Sequence, residues 1–320
     1  MPAVSIITPL FNKGPFIKET IDSVTRQTLT DWEMIVVDDG SKDDGVRIVR
    51  DYSERDSRIH LVQREKATGP GSARNHALSL AKGQWILFLD ADDLIESKHL
   101  ESLLECAREH PAANLVVGCY QRFDDRNPDI KTLVVPYGNS PDKRADLNSA
   151  IAFGLWAPHA AVVKKSVVSG QFLWDEEDFF GEDTAFWFRL VSFHQPVFSE
   201  SRGALYRYQS AQARTDTQSE KWCRGHHKQV LNNVAFLDRN HLSLTAGHCE
   251  SLMRLYLEFF GYAVKRGDSA TADWALAEAE KWLGEYFNHG ANHSWKMRMR
   301  KMIGLARFEA LKKRFRPAVS

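Results

Sequence analysis

Residues 85 to 96 read WILFLDADDLIE. Four apolar residues, Ile86 to Leu89, run without interruption into three carboxylates, Asp90, Asp92 and Asp93. So apolar a run predicts a buried strand. Acids clustered at the tip of a strand repel one another unless a positive charge neutralises them. A metal ion is the first candidate for that charge.

Outward from this strand the pattern repeats. The bursts VSIITPLF, EMIVVDDG, HLVQRE and NLVVGCY alternate with PFIKETIDSVTRQ, SKDDGVRIVRDYSERD and LIESKHLESLLECAREH, whose apolar residues recur every three or four positions. Strands alternating with amphipathic helices predict an α/β fold with a mostly parallel sheet, and each helix is expected to open on Pro, Ser or an acid near its start. In such sheets ligands bind beyond the carboxyl ends of the strands. The polar signals Asn12, Asp38 with Asp39, and Asp90 with Asp92 fall at those ends. Residues 1–120 are expected to form one half of this domain and 121–214 a second. Within the latter, 122–147 are rich in Pro, Asn, Asp and Lys and predict irregular chain. From about 215 to 320 the pattern turns helical.

The 320 residues carry 42 basic and 42 acidic side chains, so nothing in the global charge implies a nucleic-acid partner. Cys106, Cys119, Cys223 and Cys249 form no CxxC pair, which argues against a zinc site or a disulfide framework and suits a reducing cytoplasm. The N-terminus lacks the features of a secretory signal, and no run of about 18 apolar residues predicts a membrane span.

Several short segments carry chemistry. DDGS (38–41) reads either as an acidic turn with Ser41 capping the next helix or as a ligand contact. In GPGSARN (69–75) the glycines, Gly71 among them, allow close backbone approach, and Arg74 supplies a charge able to reach phosphate oxygens; a glycine turn with a solvated arginine is the alternative. Glu182 and Asp183 fall at the expected start of a helix, where ionised carboxylates are favoured. Trp156, Phe180 and Trp187 offer flat apolar faces for a ligand, or else are core.

Taken in order, TPLFN (8–12), VVDDGS (36–41), GPGSARN (69–75), LDADD (89–93) and GEDTAFWFRL (181–190) resemble the family 2 glycosyltransferases of GT-A fold, over roughly the first 210 residues. That resemblance implies an inverting transfer from a nucleotide sugar, a UDP-sugar above all, with residues 1–120 as the nucleotide-sugar-binding half, 121–214 as the acceptor-binding half, and Trp156, Phe180 and Trp187, where they are not core, as faces for the acceptor sugar. It places Thr8, Pro9, Phe11, Asn12, Asp38, Asp39, Gly71, Arg74 and Asp90 around the donor, with Asp39 accepting from the uracil imide and Phe11 lying against the ring. It implies that Asp92 holds Mn²⁺ or Mg²⁺, with Asp90 touching ribose or metal, and that Asp183 is the general base with Glu182 beside it. The acceptor is expected to be a saccharide, free or lipid-linked, in cell-surface polysaccharide or glycolipid synthesis; a peptide acceptor, or a nucleotide-sugar sensor without catalysis, is the alternative.

Relatives carry Tyr-Arg-x-His after the base motif, whereas this chain reads YRYQ, with Gln209 in the histidine position. That puts the metal's affinity, or a partner for the leaving group, in question. His226 with His227, and His289 with His293, lack a third ligand and read as surface residues. From Lys296 to Arg316 the chain carries nine Lys or Arg against one acid, Glu309, with apolar residues interleaved. Residues 296–320 therefore read either as a helix lying on an anionic membrane, at its inner face, or as one packed on the catalytic domain.

Overall fold

The computed structural model describes residues 1–124, 127–135, 147–176, 181–208, 220–289 and 304. Two compact units are present, one of Met1–Ala145 with Gly154–Arg214 and one of Asp146–Phe153 with Thr215–Ser320.

The first unit follows the order β1 (Val4–Leu10), α1 (Gly14–Thr25), β2 (Trp32–Asp38), α2 (Gly45–Ser53), β3 (Ile59–Gln63), α3 (Pro70–Leu80), β4 (Trp85–Phe88), β5 (Leu94–Ile95), α4 (His99–Glu109), β6 (Leu115–Val117), β7 (Tyr120–Asp124), β8 (Asn127–Val134), β9 (Ala161–Lys164), α5 (Glu182–Val191), β10 (Val197–Phe198) and β11 (Ala204–Arg207). Seven strands form a sheet in the order β10-β6-β9-β4-β1-β2-β3. Only β9 runs antiparallel to its neighbours. Every residue of β2 and β4 is buried, which explains why β4 and the Met34–Val37 stretch of β2 read as apolar runs rather than alternating ones. In the β1–β2 register Leu10 faces Asp38, and in the β1–β4 register Ile7 faces Phe88. The carboxyl ends of β1, β2 and β4 therefore deliver Phe11, Asp39 and Asp90 to one edge.

Two expectations need correction. NLVVGCY is not one strand: β6 and β7 belong to different sheets, and the chain turns at Gly118, where a Cβ would lie 2.9 Å from the Ser201 carbonyl oxygen. Residues 122–124 and 127–134 are not irregular either, because β7 and β8 pair as antiparallel neighbours in a second sheet ordered β5-β11-β7-β8. β8 is an edge strand there, and an edge tolerates Pro128 because no ladder hydrogen bond is lost on its open side. Residues 136–146 lie outside the described ones.

Helix capping also differs from expectation. Ser41 caps nothing; its Oγ accepts from the Asn12 amide at 3.0 Å. Asp43 serves two helices at once, its carboxylate accepting from Gly14 N (2.7 Å) at the start of α1 and from Gly45 N (3.0 Å) at the start of α2. Both helix N-termini thus receive an oxygen and a negative charge from one residue.

The second unit comprises a short 3-10 turn, Leu147–Ile151, with α6 (Glu220–Arg239), α7 (Ala246–Arg266) and α8 (Ser269–His289). α7 opens on a reciprocal cap, Thr245 Oγ1 accepting from His248 N and His248 Nδ1 from Thr245 N, both at 3.1 Å, and closes on Gly267 at φ 72°. His226 and His227 are half-buried rather than surface groups. His226 Nδ1 donates to the Trp222 carbonyl, and His227 Nδ1 lies 2.5 Å from the Tyr256 hydroxyl. His289 pairs with Glu285 at 3.6 Å. All four cysteines are buried free thiols. Among the described residues no helix is long and apolar enough to cross a membrane. His293 and the basic segment 296–320, Gly304 apart, lie outside the described residues.

His99, at the start of α4, is buried and fully bonded as the neutral ring: Nε2–H donates to the His159 carbonyl at 2.8 Å and Nδ1 accepts from Ser201 Oγ at 3.0 Å. Burial depresses its pKa from 6.5 to about 4. A group depressed in the fold contributes stability that is fully present above the unfolded value and is lost as pH falls from 6.5 towards 4. Urea unfolding should accordingly show stability falling over that window, with His99 accounting for roughly 3 kcal/mol at its lower end. Replacing His99 by Gln should flatten the fall; an unchanged pH profile would contradict the assignment.

Candidate functional site

Two of the acids after β4, Asp90 and Asp92, are each held by a cation, one from α3 and one from the residue ahead of α1. Arg74, on α3, is 2% exposed; its Nη2 lies 2.7 Å from Asp90 Oδ1 and its Nη1 3.4 Å from Glu182 Oε1. Its guanidinium also stacks over the Trp174 ring at 4.1 Å. Burial works against this charge, but Asp90 and Glu182, with Asp183 behind them, outweigh it and hold the Arg74 pKa above its ordinary value. The expectation that Arg74 is free to reach phosphates is therefore corrected: its charge is committed to two carboxylates. One buried cation ties the end of β4 to the start of α5.

Asp92 pairs instead with Lys13 Nζ. Asp93 is buried, accepts from Arg207 N at 2.8 Å and lies 3.2 Å from His159 Nδ1. Burial, reinforced by Asp92 and Asp90, pushes its carboxyl well above the usual range, while Arg207 opposes the shift. Arg207 Nε donates to the Asp92 carbonyl at 2.7 Å, and its Nη2 bonds Glu19 at 2.6 Å. Lys13, His159 and Arg207 escaped the sequence reading. Lys13 could have been suspected from its place beside the TPLFN motif; the other two are brought in only by folding.

At the base-binding end, Phe11 is 52% exposed, as a stacking platform requires. Asn12, at φ 52°, accepts from Lys42 N at 2.8 Å and so clasps the loop after β2. Asp38 braces that loop through Gly40 N (3.3 Å) and Ser41 N (3.1 Å). Asp39 is buried and accepts from Thr68 N (3.0 Å) and Gly69 N (2.7 Å), with Arg64 at 3.5 Å. Pro9 is half-buried, but Thr8 is wholly enclosed in the β1 ladder opposite Val36, so its side chain does not reach a ligand.

GPGSARN has a different task from the one its glycines suggest. A Cβ on Gly71 would stand 2.1 Å from the Asp175 carbonyl oxygen, so Gly71 admits a neighbouring backbone rather than a ligand. Asn75 exchanges two 2.9 Å bonds with the Trp174 backbone, and Glu176 receives Asn75 Nδ2 (2.9 Å) and Ser72 Oγ (3.2 Å). The motif grips residues 174–176, just ahead of the acids of α5.

α5 begins after Gly181 at φ 73° and carries Glu182 and Asp183 in its first turn. Asp183 Oδ1 accepts from Thr184 N at 2.7 Å. Trp156 and Trp187 are corrected as acceptor faces, since they are 3% and 1% exposed and pack together at 5.5 Å among Phe88, Phe186 and Trp174. Phe180 and Gln209 lie outside the described residues. Among the described residues no group of three or more His, Cys, Asp or Glu is gathered to hold a metal.

Removing one member of a buried ionic cluster leaves the others uncompensated, at about 3–5 kcal/mol. Arg74→Ala should lose about that much in urea unfolding. Arg74→Lys should recover only part, because an ammonium cannot reach two carboxylates and stack at once; a loss below about 1 kcal/mol in Arg74→Ala would refute the bridge.

Comparison with known proteins agrees with this geometry. Residues 5–170 match the profile described as "Glycosyl transferase family 2". EpsJ of Bacillus subtilis, described as an uncharacterized glycosyltransferase, is 30% identical over 266 residues, or 80% of this chain and 75% of EpsJ. A poly(ribitol-phosphate) beta-glucosyltransferase of Bacillus spizizenii is 32% identical over 140 residues, 40% of this chain but 22% of that protein. Among solved structures, residues 1–349 of S. aureus TarS in complex with UDP-GlcNAc superpose with a TM-score of 0.64 at 19% identity, covering 88% of this chain and 81% of that one. The mannosyltransferase PcManGT of Pyrobaculum calidifontis, in complex with GDP-Man and Mn²⁺, gives 0.54 at 18% identity over 98% and 83%. At these identities the structures speak for the fold, and the sequence matches supply the rest: the chain is a glycosyltransferase and belongs to glycosyl transferase family 2.

Proposed function

We propose that this chain transfers a sugar from a nucleotide sugar, preferentially a UDP-sugar, to a hydroxyl of a saccharide acceptor with inversion at the anomeric carbon. The observation that carries the reading is the Arg74 bridge, because it holds the acids of the donor side, at the end of β4, beside the acids of the acceptor side, at the start of α5. TarS and PcManGT, whose solved complexes contain UDP-GlcNAc and GDP-Man with Mn²⁺, support a nucleotide-sugar donor.

In this reading Phe11 lies against the base and Asp39, held rigid by the amides of 68 and 69, accepts the imide proton with a remaining lone pair. Asp183 takes the acceptor's hydroxyl proton as its oxygen bonds to the anomeric carbon, and the bond from that carbon to the diphosphate oxygen breaks with its electron pair leaving on the nucleotide. Glu182, tied to Arg74, orients the start of α5. The donor set suits a hard divalent cation: Asp92 and Asp90 present carboxylate oxygens on a rigid strand end, and the Lys13 ammonium on Asp92 marks where positive charge is welcome. Mn²⁺ or Mg²⁺, bound there with the diphosphate completing its shell, would neutralise charge developing on the leaving group. The acceptor proposed is a growing cell-surface saccharide, free or lipid-linked.

The test pairs binding with turnover. UDP-glucose, UDP-N-acetylglucosamine and GDP-mannose should be screened for transfer with Mn²⁺, Mg²⁺ or EDTA. Asp183→Asn should bind UDP almost normally yet transfer about 10²- to 10⁴-fold more slowly, while Asp92→Ala should lose its metal stimulation. Full transfer by Asp183→Asn would remove Asp183 as the base; transfer unaffected by EDTA would remove the metal.

A further inference from the structure

Trp156 and Trp187 are core rather than open faces, and among the described residues the second sheet presents other aromatic side chains to solvent. Along β11 and the residue after it, side chains alternate: Leu205 and Arg207 point to one side, Tyr206 and Tyr208 to the other. Tyr206 is 36% and Tyr208 55% exposed. Tyr208 stays in the ladder, its N donating to the Phe123 carbonyl at 2.7 Å. Two open phenols two residues apart in extended chain stand roughly 6.6 Å from one another.

The neighbouring strand continues this face. β11 and β7 pair in parallel, with Ala204 opposite Tyr120 and Tyr206 opposite Arg122. The Tyr120 and Tyr206 rings meet edge to face at 6.4 Å, and Arg122 Nη2 donates to the Tyr120 hydroxyl at 3.2 Å. Tyr206 is thereby held as a fixed plane rather than a loose side chain.

Its position relative to the reacting groups follows from the next residue. Arg207 is bonded through its backbone N to Asp93 and through its side chain to the Asp92 carbonyl, so Tyr206 stands one residue from the anchor of the metal-motif acids. The hydroxyl end is enclosed enough that burial leads in pushing its phenol pKa upward; Asp93, Asp90, Asp92 and Asp183 then add to the shift. The Arg74 bridge holds Asp90 beside Glu182, the neighbour of Asp183, so the acids that Arg207 anchors and the first turn of α5 share one neighbourhood, and Tyr206 adjoins it through Arg207.

We propose that the Tyr206–Tyr208 face is the acceptor subsite, on which the apolar C–H face of the acceptor sugar stacks with its hydroxyl turned to Asp183. This deepens the glycosyltransferase reading above and rests on it. The ligand is a saccharide of more than one ring rather than the donor's single sugar, because the open face extends along the strand beyond Tyr206 to Tyr208.

Saturation-transfer NMR with methyl glycosides of glucose, galactose, mannose and N-acetylglucosamine and their β-linked disaccharides, in the presence of UDP and Mg²⁺, tests this without needing turnover. At least one disaccharide should bind the wild-type chain more tightly than its monosaccharide. Tyr206→Ala should weaken it by about tenfold, the effect of losing one stacking partner, while Tyr206→Phe should retain it and UDP affinity by calorimetry should stay unchanged in both. Tyr206→Leu, which fills space without a π face, replaces the Ala variant if that one unfolds. Equal glycoside binding in Tyr206→Ala or Tyr206→Leu, loss of UDP-sugar binding in place of glycoside binding, or no glycoside bound by the wild-type chain would each overturn the subsite. In each case UDP binding and transfer by the wild-type chain would leave the glycosyltransferase reading standing.

Discussion

A guanidinium almost closed off from water, with a carboxylate on either side, is the constraint on which the rest of the site depends. Arg74 comes from α3, Asp90 from the loop after β4, and Glu182 from the first turn of α5. A buried charge is tolerated only when paired and hydrogen-bonded, so each of these three elements fixes the position of the other two. The stack of Arg74 on Trp174 adds a fourth, and Trp174 in turn lies flat on Phe186 at 4.3 Å and 7°. The polar bridge is thus seated directly on the aromatic core of the first unit.

The segment ahead of α5 is held with comparable redundancy. Gly71 gives the backbone at Asp175 room to pass, Asn75 pairs with the Trp174 main chain on both sides, and Ser72 reaches Glu176. Arg64 donates to Ser72 at 3.0 Å while approaching Asp39 at 3.5 Å. A continuous run of polar contacts therefore joins the carboxylate proposed to read the base to the segment preceding the proposed base catalyst. Preorganisation of this kind limits what must move when substrates arrive.

Around the strand-end acids the electrostatics are divided by depth. Asp90 and Asp92, half-buried, are met by Arg74 and Lys13. Asp93, fully enclosed, faces a backbone amide and His159 and is driven towards its protonated form. Three neighbouring carboxyl groups do not all carry charge equally; the innermost is the one desolvation penalises most. Arg207 ties this arrangement to the second sheet and so sets where Tyr206 stands.

Much of this was legible in the sequence, because it is written in local periodicity. Apolar runs at 34–37 and 85–89 specify doubly covered strands, and three- and four-residue spacings specify the helices between them. The rule that ligands gather at carboxyl ends of parallel strands then placed Asn12, Asp38 with Asp39, and Asp90 with Asp92 on one edge from the sequence alone. What the sequence left open is which side of each motif faces solvent and what each charge is paired with. Arg74 meets Glu182 across 108 positions, Gly71 meets Asp175, Arg207 meets Asp92 and Asp93, and two tryptophans that read as sugar platforms are core while Tyr206 is open. Periodicity is a property of neighbouring residues and survives in the linear chain; burial and ion pairing join residues far apart along it, so only the packed tertiary structure decides them.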